Sequence, residues 1–548
     1  MNHLSKLQKL RVSYEPKIPK ELVDLLFLDV EEVSGKKADE EIVPSFPSIK
    51  ENRYLKVIKS RSSHQKKPLR VGCVLSGGQA AGGHNVIIGL FDALQELHPE
   101  STLFGFLNGP SGIVEGKYRE LGKEELACYR NQGGFDLIGS GRTKIETEEQ
   151  FEKTLQVMHK LALDGLVIIG GDDSNTNAAY LAEYFIQHGC STRVIGVPKT
   201  IDGDLQSERV AISFGFDTAC KVYADSIASI ARDAISAKKY YYFIKLMGRS
   251  ASHIALECAL HTQPNLTLIG EEIQEKNMTL MQTAEQIVDL IVERSKHGKQ
   301  YGMIVIPEGV IEFLSDMKQL VQALNKIVAP TSAHLKTLDN MATFDEKLAY
   351  VTKQLAADLQ KTLMLIPRLI QEQLLLDRDP HGNVQVSKIE TERLYMHIVE
   401  AELQKRAKNG AYTGSFSAQP IFFGYEGRSH LPSNFDANYS YSLGRLAALF
   451  IMRHKTGYMV ALDHLFKPAS DWIAYGVPLV TLMHLEERNG KKKAVIKKAL
   501  VNLKGKSFQQ FQKERTHWRL SDFYPQPGPI QFFGPKEVTD TVPLVIQN

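Results

Sequence analysis

The chain has few cysteines for its length: five in 548 residues (Cys73, Cys128, Cys190, Cys220 and Cys258), an odd number with no Cys-x-x-Cys pair. That pattern argues against a disulfide framework or a structural zinc site and suits a reducing compartment. Long apolar runs are also missing. No stretch approaches the roughly 20 residues of a membrane span, and Asp24 and Asp29 interrupt the best apolar run near the N-terminus, so no signal-peptide core is expected. A soluble, cytoplasmic protein is the expectation. Charge of one sign is absent too: 66 Lys and Arg face 63 Asp and Glu, a formal net charge of +3. A near-balance gives no reason to expect nucleic acid or an anionic membrane as partner, so any phosphate chemistry has to come from local clusters.

What is present is length for more than one domain and a recurring pattern. Val71-Gly72-Cys73-Val74-Leu75 is a buried-strand run, followed by the glycine-rich Ser76 to Asn85 and a helical apolar stripe from Val86 to Leu97. Such a turn exposes backbone N–H groups at a helix N-terminus, where phosphate binds well; by itself it also fits a plain tight turn. It lacks the Lys-Ser/Thr of a P-loop and the Gly-x-Gly-x-x-Gly spacing that a nicotinamide dehydrogenase requires. Leu103 to Leu107 is the next strand, and Arg142 and Lys144 follow in a glycine-rich loop, as phosphate clamps or as ordinary exposed cations. Leu166 to Ile169 ends in Gly170-Gly171-Asp172-Asp173-Ser174, a helix is expected over 178–187, and Val194 to Val197 ends in Pro198-Lys199-Thr200-Ile201-Asp202-Gly203-Asp204. The strand Tyr240 to Leu246 ends in Met247-Gly248-Arg249, Gly302 to Ile306 in Pro307-Glu308-Gly309, and Ile421 to Phe423 in Gly424-Tyr425-Glu426-Gly427-Arg428. Strand after strand closes on glycine plus a charged residue, as ligand loops do at the C-terminal edge of an open α/β sheet.

The fold expected is α/β, with two Rossmann-like open-sheet domains, the active site in the cleft between them, and a helical insertion. The boundaries expected are an N-terminal extension at 1–69, packing on the body or a partner or else a solvated linker, and a donor-binding domain at 70–235. A second α/β domain takes 236–312 and 409–460, a helical insertion takes 313–408, and a C-terminal segment at 461–548 packs back on the body without a readable site. In chemical terms, Asp172 is the natural anchor for Mg²⁺, which favours one or two carboxylates plus phosphates and water. Asp202 can accept the proton of an attacking hydroxyl, Lys199 can neutralise the transferring group, Arg249 and Arg428 can brace a substrate phosphate, and Glu308 can hold sugar hydroxyls.

Ser76-Gly77-Gly78, Gly170-Gly171-Asp172-Asp173, Pro198 to Asp204, Met247-Gly248-Arg249, Pro307-Glu308-Gly309 and Gly424 to Arg428 resemble, in order, the motifs of the phosphofructokinase superfamily. The likeness runs from about Arg70 to His454 and is greatest to the long, pyrophosphate-dependent branch that includes the plant β subunit. It implies the glycolytic conversion of fructose 6-phosphate and pyrophosphate into fructose 1,6-bisphosphate and phosphate, reversibly and with Mg²⁺; an ATP-dependent kinase of the same fold and a catalytically silent regulatory subunit are the alternatives. By the same resemblance Asp202 is the base, Asp172 acts through the metal, and Gly77, Gly78, Arg142, Asp173 and Lys199 meet the donor. Thr200, Ile201, Met247, Gly248, Arg249, Glu308, Tyr425, Glu426, Gly427 and Arg428 meet the sugar phosphate. Lys239 and Tyr240 resemble a pair that reaches into an adjacent subunit's site, which implies a homodimer or larger homo-oligomer. ATP-using relatives carry glycine where Asp173 and Lys199 stand. A carboxylate at 173 repels an α-phosphate by about 4 kcal/mol at ~4 Å and an effective dielectric of about 20. Ala81 stands where the family pattern has proline and leaves the phosphate-facing N–H groups intact.

Overall fold

A computed structural model describes residues 4–60, 62–63, 67–329, 332–378, 384–488, 491–527 and 535. The strands, in chain order, are β1 Leu28–Val33, β2 Tyr54–Lys59, β3 Arg70–Leu75, β4 Thr102–Phe106, β5 Tyr118–Glu120, β6 Gly165–Gly170, β7 Arg193–Pro198, β8 Tyr241–Leu246, β9 Leu266–Thr267, β10 Gly302–Pro307, β11 Ala418–Phe423, β12 Tyr458–Asp463, β13 Ile473–Pro478, β14 Met483–Arg488 and β15 Lys491–Ile496. Among the helices are α1 Gly83–Leu97, α2 Asp172–Gln187, α3 Phe216–Ala237 and α4 Asn434–Met452. The chain divides into two compact units, one running to Val222 and including Tyr425–Ala499, the other comprising Tyr223–Gly424 with Leu500–Gly528.

The first unit holds a nine-stranded sheet in the order β1-β2-β13-β12-β7-β6-β3-β4-β5. β12, β7, β6, β3 and β4 run parallel, and the strands outside them pair antiparallel. β6 (Gly-Leu-Val-Ile-Ile-Gly) is buried at every position, as a central parallel strand covered on both faces must be. The chain lays β4 on one side of β3 and β6 on the other, so the order reverses between β3 and β6. Loops that leave the carboxyl ends of strands at such a point form the usual ligand crevice of an open α/β sheet.

The second unit holds a four-stranded, wholly parallel sheet in the order β11-β8-β10-β9. Helices Ser315–Ile327, Phe344–Gln354, Ala357–Leu365, Arg368–Leu376 and Thr391–Lys408 supply the helical stretch anticipated at 313–408. Their apolar faces share one core with Tyr241, Phe243, Ile304 and Ile306 of the sheet.

Two segments depart from the sequence boundaries. Residues from Tyr425 to 460, anticipated in the second domain, belong to the first unit. The cause is packing: β12 pairs with β7 inside the nine-stranded sheet, and α4 crosses α1 at backbone contact. A Cβ on Gly89 would lie 2.1 Å from the Tyr441 carbonyl oxygen and one on Gly444 2.1 Å from that of Val86, so only glycines permit the crossing. The N-terminal stretch is no linker, because β1 and β2 extend the sheet, Ile42 and Phe46 enter its core, and Arg11 donates to the Pro432 carbonyl and Asn434. Among the described residues no helix is long and apolar enough to cross a membrane.

Candidate active site

In the first unit the sheet brings the ends of β3, β6 and β7 side by side. Ser76 N–H donates to the Ile169 carbonyl, Gly77 N–H to Gly141, and Lys199 N–H to Gly170, so the three loops share backbone hydrogen bonds. Side chains extend the link: Ser174 Oγ donates to Ser76 Oγ at 2.8 Å, and Asn175 Nδ2 donates to the carbonyls of Gly170 and Gly171 at 2.6 and 2.9 Å.

The helix after β6 starts earlier than 178. Gly171 is the N-cap of α2, so Asp172 and Asp173 occupy its first turn. Carboxylates there are favoured by the unpaired N–H groups and the positive end of the helix dipole. Asp173 is about half exposed and pairs with Lys144 at 3.1 Å. Lys144 is therefore engaged with a carboxylate in this state, whereas Arg142, from the same loop, is exposed.

Lys199 is buried, with 6% of its surface exposed, and its ammonium donates to the Gly78 carbonyl at 2.7 Å. A Cβ on Gly77 would stand 3.1 Å from Lys199 Nζ, and one on Gly78 2.5 Å from Arg428 Nη1. The first glycine loop thus lies directly against two cations. Burial first, then the charge of Arg428, brings the Lys199 ammonium down to about 8, while Asp202 and Asp172 pull it back up.

The loop after Lys199 turns through Gly203 at φ 72°, with Asp202 N–H donating to Thr200 Oγ1 at 3.1 Å. Ile201 is buried and holds the turn in the core, while Asp202 is partly exposed. Asp204 is buried; burial first, then the charge of Asp202, pushes its carboxyl up to about 7, and the nearby Asp172 adds to the rise. The far end of the loop is braced by Ser213 Oγ on the Thr200 carbonyl, Tyr439 hydroxyl on the Ile212 carbonyl, and Asp436, which accepts from Gly215 N–H, Thr218 N–H and Thr218 Oγ1 at the head of α3. Asp436 and Tyr439, from α4, and Ser213, from the loop itself, were not legible in the sequence as braces.

Lys498 was also missed, although it lies 3.6 Å from Asp172 Oδ2 and its charge acts on Asp204. The C-terminal segment, in which no site is readable from sequence, therefore reaches Asp172. Its only signal is a basic run, Lys491 to Lys498, that looks like a solvated face.

Arg428 and Tyr425, expected against the sugar phosphate, start the first unit's second segment. Arg428 packs beside Gly78, its guanidinium 5.8 Å from the Tyr425 ring centre, and its Nε is buried without a hydrogen-bond partner. Tyr425 and Glu426 are exposed and Gly427 is buried.

In the second unit the carboxyl ends of β8, β10 and β11 converge. Glu308 N–H donates to the Leu246 carbonyl, Gly309 N–H to Gly248, and Met247 N–H to Phe423. Gly309 sits against the Arg249 carbonyl, where an added Cβ would come within 1.7 Å. Met247, Gly248, Arg249 and Glu308 are thereby one cluster, with Arg249 exposed and Glu308 buried. Lys239 and Tyr240 precede β8 and so lie at the opposite end of the strand, about 20 Å away at ~3.3 Å per residue. Lys239 lies over the Tyr240 ring, 5.2 Å from its centre.

The phosphofructokinase family matches residues 70–361. A pyrophosphate--fructose 6-phosphate 1-phosphotransferase of Treponema pallidum (strain Nichols) is 47% identical across 99% of this chain and 97% of its own length. One of Porphyromonas gingivalis is 46% identical across 99% and 98%. The corresponding β 2 subunit of Arabidopsis thaliana is 51% identical across 86% and 81%. Among solved structures, a pyrophosphate-dependent phosphofructokinase from Nitrosospira multiformis superposes with a TM-score of 0.54 at 15% identity, covering 83% of this chain and 93% of that one, a likeness of fold.

Proposed function

This chain belongs to the phosphofructokinase family, and from that premise we propose that it transfers a phosphoryl group reversibly from pyrophosphate to the 1-hydroxyl of fructose 6-phosphate. The observation that carries the reading is Lys199, a buried ammonium fixed on the first glycine loop and flanked by the charges of Asp172 and Asp202. A cation so placed can meet a donor that offers only phosphate oxygens.

In the forward direction the Gly77–Gly78 loop and the N-terminus of α2 hold the donor phosphates. Asp202 accepts the proton as the sugar oxygen forms its bond to phosphorus, the bridging P–O bond breaks, and phosphate departs. Lys199 offsets the charge that builds on the transferring group. Met247, Gly248, Arg249 and Glu308 hold the sugar phosphate. Arg428, packed on Gly78, sits to serve a phosphate beside the donor loop.

The residues fit a divalent cation, Mg²⁺. Asp204 is pushed up by burial and then by the charges of Asp202 and Asp172, so a cation held at Asp172 would offset carboxylates that repel one another. Among the described residues no three His, Cys, Asp or Glu side chains form a cage, so Asp172 would hold the ion together with substrate phosphates and water. Bound there, it supplies charge neutralisation at the donor.

Lys239 and Tyr240, at the far end of β8, fit a role in a partner subunit's site, and we place the protein as a homodimer or larger homo-oligomer. All five cysteines are free thiols, in keeping with the cytoplasm. The test is a donor assay: pyrophosphate or ATP with fructose 6-phosphate and Mg²⁺. Turnover with pyrophosphate far above that with ATP is expected. The reverse order makes the chain an ATP-dependent kinase, and silence with both makes it a regulatory subunit.

A further inference from the structure

The end of the C-terminal hairpin is fastened to the first unit by its backbone. Ile496 N–H donates to Thr176 Oγ1 at 3.0 Å, Lys497 N–H to the Leu482 carbonyl at 2.9 Å, and Ala499 N–H to the Asp204 carbonyl at 2.7 Å. Tyr180 on α2 donates to the Ala494 carbonyl, and Lys493 pairs with Glu146. Main-chain bonds on both sides of Lys498 thus hold its backbone between α2, at Thr176, and the loop that carries Asp204. From there the side chain, one-third exposed, brings Nζ to 3.6 Å from Asp172 Oδ2. That separation is ion-pair distance, so the ammonium and the Asp172 carboxylate attract one another.

Pyrophosphate approaching Asp172 comes under the negative charge of that carboxylate and of Asp202, the two that also act on Lys199. It carries no nucleoside through which to gain contacts, so each cation on its oxygens counts for more than it would with a longer donor. Lysine suits the task as a point charge on a flexible stem. The hairpin docks on the helix that presents Asp172, within the unit that carries the glycine loops and Lys199.

We propose that Lys498 is a donor-binding residue, its ammonium contacting a non-bridging oxygen of pyrophosphate, so that the hairpin β14–β15 serves to deliver a cation to the donor. The inference rests on pyrophosphate being the donor. The test uses the full-length protein and measures pyrophosphate binding by calorimetry with Mg²⁺ and no sugar, alongside KM for each substrate. Lys498→Met should weaken pyrophosphate binding and raise its KM by about 10-fold to 100-fold, the range for losing a hydrogen bond to a charged group. KM for fructose 6-phosphate should stay within about twofold, and Lys498→Arg should recover most of the loss, since it restores the charge. Lys498→Gln gives the same reading should the Met variant not fold. Unchanged pyrophosphate binding in a folded variant overturns the role of Lys498 and leaves the pyrophosphate reading standing. A parallel rise in both KM values, or no rescue by arginine, makes the residue structural and overturns it as well. A wild-type protein that does not bind pyrophosphate removes both.

Discussion

The two sheets of this protein end their strands in different ways. At the ends of β3, β6 and β7 the side chains are charged and several are buried: Lys199 and Asp204 are both displaced from their usual acidity, with Asp172, Asp202 and Arg428 close enough to cause part of it. At the ends of β8, β10 and β11 the backbone does most of the shaping, through bonds from Met247, Glu308 and Gly309 to neighbouring strand ends, and Arg249 is the main exposed charge. A region that handles charge as it moves requires buried, mutually coupled ionisable groups. A region that recognises a fixed phosphate and a set of hydroxyls requires shape and a few anchors.

If that division holds, the largest losses come from the charged edge. Asp202→Asn keeps the size and the Thr200 contact to the backbone but removes the proton acceptor, so kcat should fall about 10² to 10⁴-fold, the usual contribution of a general base. KM for fructose 6-phosphate should change little. Turnover near that of the wild type in steady-state assays would take Asp202 out of the chemistry and blur the contrast between the two edges.

Lys199→Met comes next, with an expected loss of about 10² to 10³-fold in kcat, the range for deleting one preorganised stabiliser of developing charge. The pH dependence gives a finer test. Lys199 is lowered to about 8, so raising the pH through that value removes its proton and its positive charge, and kcat/KM for pyrophosphate should fall on the alkaline side near pH 8. In Lys199→Arg the guanidinium stays charged, and the alkaline fall should move to higher pH or vanish. An alkaline limb that ignores the substitution belongs to another group.

The same contrast explains what could be read without coordinates. The ends of β6, β7, β8, β10 and β11 were legible because an apolar run there closes on glycine plus a charged residue, whereas the end of β3, Ser76-Gly77-Gly78, carries no charge and by itself also fits a plain tight turn. The start of α2 was not legible, since Asp-Asp-Ser-Asn-Thr-Asn looks like a loop until Ser174 and Asn175 are seen to spend their polar groups on Ser76 and Gly170. The assignment of Asn434–Met452 and β12 depends on a glycine-to-backbone crossing and on one parallel pairing, both long-range and silent in local pattern. Lys498 is the extreme case: its place depends on docking a hairpin onto residues more than 300 positions earlier.

On the shaped edge, Arg249→Ala should act on binding. The side chain is exposed and its backbone carbonyl is already held against Gly309, so truncation need not disturb the fold. A rise of about 10-fold to 100-fold in KM for fructose 6-phosphate is expected, as for loss of a charge-assisted hydrogen bond, with a smaller change in the pyrophosphate KM. If kcat collapses while KM stays put, the second sheet takes part in the charge chemistry and the division fails.

The smallest effect belongs to Asp173, and here the structure tempers the electrostatics. Two bare charges ~4 Å apart at an effective dielectric of about 20 repel by about 4 kcal/mol. Asp173, however, is about half exposed and paired with Lys144 at 3.1 Å, so water and the lysine screen much of its field. Asp173→Gly should therefore shift the ratio of ATP to pyrophosphate kcat/KM toward ATP by about tenfold, roughly 1.4 kcal/mol, well short of the bare Coulomb figure. Part of that shift should come from Lys144, which the substitution releases to meet a nucleotide's extra phosphate. Removing it too, in Asp173→Gly with Lys144→Ala, should then give a smaller gain in ATP use than Asp173→Gly alone. Equal donor ratios in the wild type and Asp173→Gly would mean that donor choice lies with Lys199 and not with Asp173.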